Sequence, residues 1–401
     1  MKILIADNFP EKHLDEIKKM KTELEYAPKL KADELPEAAK EADILIVRST
    51  EVHADCIEKS RELSLIIRAG AGVNNIDIKA ASERGIYVAN CPGKNSIAVA
   101  ELTMGLILSL DRHIPDNVID LRAGKWNKGK YSKADGILGK TLGIIGVGQI
   151  GKEVIKRAIP FGLKIIAWSR SLTPEIATEL GVNFSPTIKE LITKCDIISV
   201  HLTLKPETKG LINKELIAAM KPGTIFINTA RSEIVDEEAI VEAVKAGRIR
   251  AGLDVMKDEP EAKEGQFTGA IANLPDLYAT HHIGASTEQA QDAVASETVR
   301  ILKEYVTQGT VQNWVNRCKK TKALWQLVVR HYDKPGVLAN VLNELKSDGI
   351  NVQEVENVIF EGEKTACCTI RLDSKPSDEA ISKIGNRPSE VINATLIDLG
   401  E

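Results

Sequence analysis

The stretch Thr141-Leu142-Gly143-Ile144-Ile145-Gly146-Val147-Gly148-Gln149-Ile150-Gly151 decides the fold. A short apolar run leads directly into the pattern G-x-G-x-x-G, and helix-compatible sequence follows from Lys152 to Ala158. A strand, a glycine turn and a helix in this order are typical of a dinucleotide-binding unit. Gly146 allows the tight turn, Gly148 lets the backbone approach a pyrophosphate, and Gly151 permits close packing of helix on strand. The phosphates would then face the positive end of the helix.

The composition is that of an ordinary soluble globular protein of two to three domains, with 401 residues, 43% hydrophobic and 27% charged. A net charge of −4 gives no reason to expect nucleic acid or an anionic membrane as a partner. No apolar stretch approaches the ~18 residues that a membrane span needs, and charge interrupts the N-terminus too early for a signal peptide. The six cysteines show no C-x-x-C spacing, which indicates a reducing compartment. We therefore expect a cytoplasmic protein without a metal site.

Before the glycine turn, short apolar runs alternate with charged helical stretches. Alternating strands and helices predict a parallel sheet covered on both faces. The predicted strands are Ile3–Ala6, Ile44–Val47, Leu65–Ile67 and Tyr87–Ala89, and the predicted helices include Pro10–Met20, Asp33–Glu41 and Ser96–Leu110.

After the glycine turn, a second alternating series predicts six strands around the nucleotide site. Its later strands are Lys164–Trp168, Asp196–Val200, Thr224–Asn228, Ala251–Val255 and Leu277–Thr280. A long helix is predicted over Glu288–Val306. The final segment, Ala323–Glu401, follows a βαββαβ order, which is typical of a ferredoxin-like sheet.

These patterns predict an α/β protein with two doubly wound parallel-sheet domains and a small C-terminal ferredoxin-like domain. The expected boundaries are a discontinuous substrate domain of residues 1–95 and 285–312, a nucleotide domain of residues 96–284, and a C-terminal module of residues 323–401.

Three polar residues follow predicted strands of the second series, at the edge where ligands bind in doubly wound sheets. They are Arg231, Glu259 and His282. Hydride transfer at a 2-keto acid requires these residue types. A guanidinium holds the carboxylate and polarises the keto oxygen, and an imidazole exchanges the proton of that oxygen. A carboxylate beside the imidazole orients it and favours its charged form. The alternative for each residue is a surface ion pair or a hydrogen-bonded core histidine.

Four motifs together resemble the D-isomer specific 2-hydroxyacid dehydrogenase family. They are Gly146–Gly151, Asn228-Thr229-Ala230-Arg231, Asp254 with Glu259-Pro260, and His282-Ile283-Gly284-Ala285-Ser286-Thr287. The resemblance implies catalytic roles for Arg231, Glu259 and His282. It implies cofactor contacts for Gly146, Gly148, Gln149, Ile150, Gly151, Ser169, Arg170, Thr229, Ala230, Asp254 and Gly284, with Asp254 and Thr229-Ala230 on the nicotinamide side.

Motifs in the N-terminal series are similar to those of D-3-phosphoglycerate dehydrogenases within this family. These motifs are Val47-Arg48-Ser49-Thr50, Arg68-Ala69-Gly70-Ala71-Gly72-Val73 and Asn90-Cys91-Pro92-Gly93-Lys94-Asn95-Ser96. The resemblance implies that Arg48, with Ser49, meets the substrate phosphate or carboxylate. It also implies that the backbone amides of Gly70, Ala71 and Gly72 hold the carboxylate. A solvated arginine at a strand end is the alternative for Arg48.

The C-terminal segment resembles an ACT regulatory domain, through His331-Tyr332-Asp333-Lys334-Pro335-Gly336 and Gly349-Ile350-Asn351-Val352. In this family such a domain implies L-serine as effector, with His331, Asp333 and Asn351 at the effector positions. A structural dimerisation module is the alternative.

The sequence departs from the family pattern at several positions. The acidic residue that holds the adenine ribose is missing after Trp168, where Ser169-Arg170-Ser171 stands. A guanidinium there favours a 2′-phosphate, so NADP is open beside the NAD that the family implies. His281 stands where a proline usually precedes the catalytic histidine, so two adjacent histidines are candidates for that role; His282 is favoured because it stands directly before Ile283-Gly284, as the histidine of the family does. Ser232 replaces a usual glycine, Asn74 a usual aspartate and Asp333 a usual asparagine.

The resemblance as a whole implies NAD(P)-dependent oxidation of 3-phospho-D-glycerate to 3-phosphooxypyruvate, the entry to serine synthesis. One rival is a glyoxylate or hydroxypyruvate reductase, or another D-2-hydroxyacid dehydrogenase. A rival of another class is a nucleotide-sensing protein resembling a corepressor. A homodimer or homotetramer is expected.

Overall fold

The computed structural model describes residues 1–260, 267, 269, 271 and 274–400, and the chain divides into two units, Met1–Asn316 and Arg317–Glu401. The first unit contains two parallel sheets, and the second contains one antiparallel sheet. The predicted α/β class with two parallel sheets is therefore confirmed. Within the described residues, no helix is both long enough and apolar enough to cross a membrane.

The first sheet has five parallel strands in the order β2-β1-β3-β4-β5. Its inner strand β3 is fully buried, and β1 and β4 are buried except for one residue each, because helices cover both faces. The strand β2 was not predicted, because it is a half-exposed edge strand without a continuous apolar run. The elements are β1 (Lys2–Ile5), α1 (Glu11–Lys18), β2 (Glu23–Tyr26), α2 (Leu35–Ala38), β3 (Ile44–Val47), α3 (Ala54–Lys59), β4 (Leu65–Arg68), α4 (Ile78–Glu83) and β5 (Tyr87–Asn90).

The second sheet has seven strands, one more than predicted, in the order β12-β11-β10-β9-β6-β7-β8. The extra strand, β8, is two residues long and therefore too short to leave a pattern in the sequence. The elements of this part are α5 (Ser96–Arg112), α6 (Ile114–Arg122), α7 (Lys128–Tyr131), β6 (Thr141–Ile145), α8 (Gln149–Ala158), β7 (Lys164–Trp168), α9 (Pro174–Glu179), β8 (Asn183–Phe184), α10 (Ile188–Lys194), β9 (Ile197–Val200), α11 (Lys214–Ala218), β10 (Thr224–Asn228), α12 (Glu237–Lys245), β11 (Ile249–Leu253) and β12 (Leu277–Ala279).

The glycine turn follows β6, which lies between β9 and β7 in the middle of this sheet. After β6 the chain adds β7 and β8 on one side of it, and then β9, β10, β11 and β12 on the other side. A ligand crevice forms where the strand order reverses in this way, so the fold itself places a crevice at the glycine turn.

The chain then returns to the first sheet through α13 (Glu288–Gln308). Ala295, Val299, Ile301 and Leu302 of this helix share an apolar core with strands of the first sheet. The segment after α13 also packs there, since the Val315 N–H donates to the Val88 carbonyl. The chain therefore packs on the first sheet again after the second sheet is complete, as far as Val315.

The second unit has the predicted βαββαβ order. Its strands pair in the antiparallel order β14-β15-β13-β16, and both helices contribute to one apolar core with the sheet. The elements are β13 (Trp325–Tyr332), α14 (Val337–Ser347), β14 (Val352–Ile359), β15 (Thr365–Leu372), α15 (Asp378–Gly385) and β16 (Val391–Asp398).

Candidate active site

Arg231, Glu259 and His282 follow β10, β11 and β12, which are neighbours in the second sheet. Because the carboxyl ends of parallel strands share one edge, the three side chains are brought together there. Glu259 Oε2 lies 2.8 Å from His282 Nδ1, and Glu259 Oε1 accepts the Met256 N–H at 2.8 Å. His281, the other candidate in the sequence, is not the residue beside Glu259.

Burial alone would raise the pKa of Glu259, but four other influences outweigh it and the pKa lies below its ordinary value. These are the hydrogen bond with His282, the hydrogen bond from the Met256 N–H, and the charge interactions with His282 and Arg231. Glu259 is therefore anionic at neutral pH and fixes the Nδ1 side of the imidazole. His282 Nε2 makes no hydrogen bond to the described residues and remains available for proton exchange.

His282 adopts a left-handed backbone conformation, with φ of 53°, which costs a residue with a side chain about 1 kcal/mol. Asp254 holds the surrounding loop in place. Its Oδ1 accepts the Thr280 hydroxyl at 2.6 Å and the Ile283 N–H at 2.8 Å, and its Oδ2 accepts the Gly284 N–H at 2.8 Å. Asp254 is buried, so its oxygens serve to hold the histidine loop in addition to any contact with a nicotinamide.

The turn that carries Arg231 is held by Asn228, which accepts the Ala230 N–H and donates to the Arg231 carbonyl, both at 3.0 Å. The guanidinium lies against the Gly72 backbone, where a Cβ atom would come within 2.6 Å of Arg231 Nη2. A side chain at this position would therefore displace the guanidinium from its observed place. Thr229, also predicted at the site, bonds through its hydroxyl to that of Thr103 at 3.1 Å.

The glycine turn fits a dinucleotide. Gly146 has a φ of 105°, and a Cβ there would lie 2.5 Å from the His201 carbonyl oxygen. A Cβ at Gly151 would collide with the Gly146 carbonyl, whereas the Cβ position at Gly148 has open space around it among the described residues. The helix begins at Gln149, earlier than the predicted Lys152, so Gln149, Ile150 and Gly151 form its first turn. Free N–H groups beside an open glycine are a site for the pyrophosphate.

At the end of β7, Arg170 Nη1 donates to Glu207 Oε1 at 3.0 Å. A hydrogen bond from its own backbone N–H, followed by the contact with Arg170, lowers the pKa of Glu207. The sequence has no acidic residue directly after β7. In the fold, a carboxylate comes to this place from Glu207, which lies 37 positions after Arg170 in the chain.

A cavity of about 270 Å³ opens between the first sheet and the histidine loop. It brings together the predicted residues Arg48, Ser49, Gly70, Ala71 and His282. Residues that the sequence analysis did not assign to the site also line it, among them Asn8, Phe9, Arg68, Asn95, Ser286 and Gln291.

Arg68 is the principal residue that the sequence analysis missed. Burial, followed by the positive charges of Arg231 and Arg48, lowers the pKa of Arg68 to about 10. In the described part of the chain no carboxylate forms an ion pair with it, and its buried Nε lacks a hydrogen-bond partner. The sequence did contain a feature that could have indicated this residue: Arg68 ends an apolar strand, much as Arg231 follows one. An anion bound in the cavity would offset the cost of burying this charge.

In the second unit, the three predicted effector residues do not meet within one copy. His331 is buried, with its ring nitrogens 2.8 Å from the Tyr332 carbonyl and 3.1 Å from Asn357 Oδ1. Asp333 follows β13 at the end where Tyr332 pairs with Thr365. Asn351 precedes β14 at the opposite end, where Val352 pairs with Leu372.

The chain is similar to several known proteins. Residues 104–284 match the profile of the D-isomer specific 2-hydroxyacid dehydrogenase NAD binding domain. A D-3-phosphoglycerate dehydrogenase of Methanocaldococcus jannaschii is 42% identical over 320 residues, which is 79% of this chain and 59% of that protein. A hydroxypyruvate reductase of Thermotoga maritima is 46% identical over 288 residues, 71% of this chain and 92% of that protein.

The solved structure of an NAD⁺-bound 3-phosphoglycerate dehydrogenase of Entamoeba histolytica superposes with a TM-score of 0.66 at 32% identity, over 79% of this chain and 99% of that one. The chain spans about three fifths of the length of the curated phosphoglycerate dehydrogenase from M. jannaschii. The shared motifs, the two parallel sheets and these relatives lead to one conclusion. The chain belongs to the D-isomer specific 2-hydroxyacid dehydrogenase family.

Proposed function

We propose that this chain is an NAD-dependent D-3-phosphoglycerate dehydrogenase that oxidises 3-phospho-D-glycerate to 3-phosphooxypyruvate. The observation that supports this most directly is a group of three guanidiniums: Arg48 and Arg68 line a single cavity, and the positive charges of Arg231 and Arg48 both act on Arg68. A carboxylate alone would neutralise one of them. A substrate with a phosphate as well supplies about two further negative charges. The phosphoglycerate dehydrogenases among the relatives support the same choice.

In the proposed reaction, His282 Nε2 accepts the proton of the C2 hydroxyl while the hydrogen at C2 leaves as hydride. NAD, when bound, supplies the hydride acceptor. Glu259 holds Nδ1 of the same ring and stabilises the imidazolium that forms. Arg231 binds the substrate carboxylate, and the amides of Gly70, Ala71 and Gly72 support it. Arg48 and Arg68 take the phosphate.

The second candidate is a hydroxypyruvate reductase, because the relative with that name is covered over 92% of its length. The two functions differ in whether the preferred substrate carries a phosphate. We therefore compare kcat/KM for 3-phospho-D-glycerate and D-glycerate with NAD, and for the two keto acids with NADH. Preference for the phosphorylated compounds supports the proposal, and preference for the unphosphorylated ones refutes it in favour of the reductase.

The catalytic assignment is tested with His282→Asn, which retains a polar side chain of similar shape. Turnover should fall at least about a thousandfold, as expected when the acid–base group is removed. Quenching of protein fluorescence by NADH should give an unchanged Kd. His281→Asn is the matched control and should retain turnover. Equal losses in the two variants would refute the assignment of His282.

We infer NAD rather than NADP as the preferred cofactor because Glu207 neutralises Arg170 at the end of β7. A 2′-phosphate would have to approach this carboxylate, whereas a ribose hydroxyl could donate to it. The remaining assigned groups, Ser169, Ala230 and Gly284, would line the same nucleotide crevice.

We further infer that the second unit is an ACT-type regulatory module that responds to L-serine. The separation of Asn351 from His331 and Asp333 implies that a complete effector site takes residues from two copies. L-serine inhibition should be stronger in Asp333→Asn than in the unmodified protein, because one negative charge is removed. Identical inhibition curves would exclude Asp333 from the site.

A homodimer or homotetramer in the cytoplasm completes the proposal. Apolar side chains on and after α6 are widely exposed in one copy: Ile119 is 62% exposed, Leu121 52% and Trp126 82%. A second copy would cover such a surface. Sedimentation of the unmodified protein and of Ile119→Glu tests this, since the substitution should weaken assembly.

A further inference from the structure

Asp7 lies two residues beyond β1, at the carboxyl edge of the first sheet, and is 7% exposed. One oxygen, Oδ2, accepts three consecutive backbone N–H groups. The distances are 2.7 Å from Arg48, 3.0 Å from Ser49 and 3.0 Å from Thr50. No substrate contact is assigned to Asp7, and it is not among the residues that line the cavity.

The three N–H groups belong to the loop after β3, whose residues Arg48 and Ser49 line the cavity. Successive N–H groups that converge on one anion hold a loop in a single conformation. Hydrogen bonds to a charged acceptor are roughly twice as strong as those between neutral groups. The other side of the loop is also held, because Asn75 Nδ2 donates to the Thr50 carbonyl at 2.8 Å. The backbone below Arg48 is therefore fixed. Its guanidinium lines the cavity, makes no hydrogen bond or ion pair with the described residues, and can meet a ligand.

Asp7 also acts on the charge of the cavity. Its carboxylate is one of the groups that favour the charged form of Arg68, against burial and against the repulsion from Arg231 and Arg48. A single carboxylate thus orients one arginine of the cavity and partly offsets the charge of another. Both effects concern the arginines assigned to the phosphate.

We propose that Asp7 is a positioning residue for the phosphate end of the substrate, acting through the Arg48–Thr50 loop and Arg68. This inference rests on the proposed function. It extends that function by naming the group that prepares the phosphate subsite before the substrate arrives. A purely structural carboxylate would affect the carboxylate end and the phosphate end of the site equally, so the two ends must be measured separately.

The experiment uses the full chain with Asp7→Asn, which keeps the shape and removes the charge. Asp43→Asn is the matched control, because Asp43 Oδ2 accepts the Lys2 N–H at 2.6 Å in the same sheet. For each protein we measure kcat and KM with 3-phospho-D-glycerate. We also measure the competitive inhibition constants of inorganic phosphate and of D-glycerate, which probe the phosphate and carboxylate ends.

In Asp7→Asn we expect KM and the phosphate inhibition constant to rise about tenfold, the change that a loss of about 1.4 kcal/mol produces. The D-glycerate inhibition constant and kcat should stay within about twofold, and Asp43→Asn should change none of these values. Equal changes at both ends, or no change at either, would overturn the role of Asp7. If the unmodified protein prefers D-glycerate and ignores phosphate, the proposed function fails instead.

Hydrogen exchange keeps the proposal testable if Asp7→Asn does not fold. In the unmodified free protein, the amides of residues 48–50 should be strongly protected although they lie in a loop, because one carboxylate accepts all three. Exchange at the rate of an open loop would overturn the proposal.

Discussion

Replacement of Arg68 by methionine should stabilise the free protein and impair its binding of anions. Each tenfold change in a protonation constant is worth about 1.4 kcal/mol, so lowering the pKa of Arg68 from its ordinary value to about 10 implies a cost of about 3 kcal/mol. Because the folded-state pKa is the lower one, the charged form is disfavoured in the fold at every pH below about 10. The cost disappears only as the pH rises beyond the ordinary pKa of arginine. Methionine fills similar space without the charge, so this cost is removed.

The assay is thermal unfolding at pH 7.5 with and without 3-phospho-D-glycerate. A gain of about 3 kcal/mol would raise Tm by up to about 6 °C, less whatever packing the shorter side chain loses. Ligand should raise the Tm of the unmodified protein and raise that of Arg68→Met much less. Arg84→Met is the matched control and should lower Tm, because Arg84 donates to the Ile57 and Glu58 carbonyls. The reasoning is refuted if Arg68→Met lowers Tm as the control does and still gains full stabilisation from the ligand.

Three further predictions address other parts of the first unit. Gly148→Ala should fold normally, because its Cβ enters open space, but should lose NADH affinity, because that space is at the nucleotide site. Gly151→Ala should lose about 1–3 kcal/mol of stability, because its Cβ meets a backbone oxygen. Denaturant unfolding and NADH titration of the two variants distinguish these effects, and equal stability of both would contradict the packing argument. The pKa of the buried Glu297 is lowered to about 2, chiefly by hydrogen bonds from Arg300. The Glu297 carboxylate therefore contributes about 3 kcal/mol of stability at pH values above its ordinary pKa of 4.5, and this contribution is lost as the pH falls through about 2. Glu297→Gln should flatten the acid side of the curve of unfolding free energy against pH, and an unchanged slope would exclude this role. Arg170→Ala should weaken NADP binding and leave NADH binding within about threefold, as read by fluorescence titration; an NADP affinity that does not change would remove any role for Arg170.

The sequence predicted most buried strands closely because their signal is local. Lys164–Trp168 and Thr224–Asn228 were located with the observed boundaries, since a fully covered strand is a short apolar run bounded by turn residues. Elements without that signal were missed. β2 is a half-exposed edge strand and β8 has only two residues, so neither buries enough apolar surface to leave a pattern.

The candidate site was predicted only in part, for a related reason. The rule that ligands bind beyond the carboxyl ends of parallel strands selects residue types and positions, and it selected Arg231, Glu259 and His282. The rule does not tell how deeply a side chain is buried or which charges lie near it. Arg68 was therefore quoted within a motif but given no role, although it ends a strand of the first sheet as clearly as Arg231 follows one of the second.

The amino-acid sequence by itself determined the order of strands and helices, the glycine turn and the chemical groups available at the strand ends. The tertiary structure alone decided which of these groups act on one another. Asp7 receives N–H groups 41 to 43 positions away, and Arg170 meets a carboxylate 37 positions away. The physical reason is that hydrophobic periodicity is written in neighbouring residues. The energy of a charge depends instead on burial and on distances that exist only after the chain has folded.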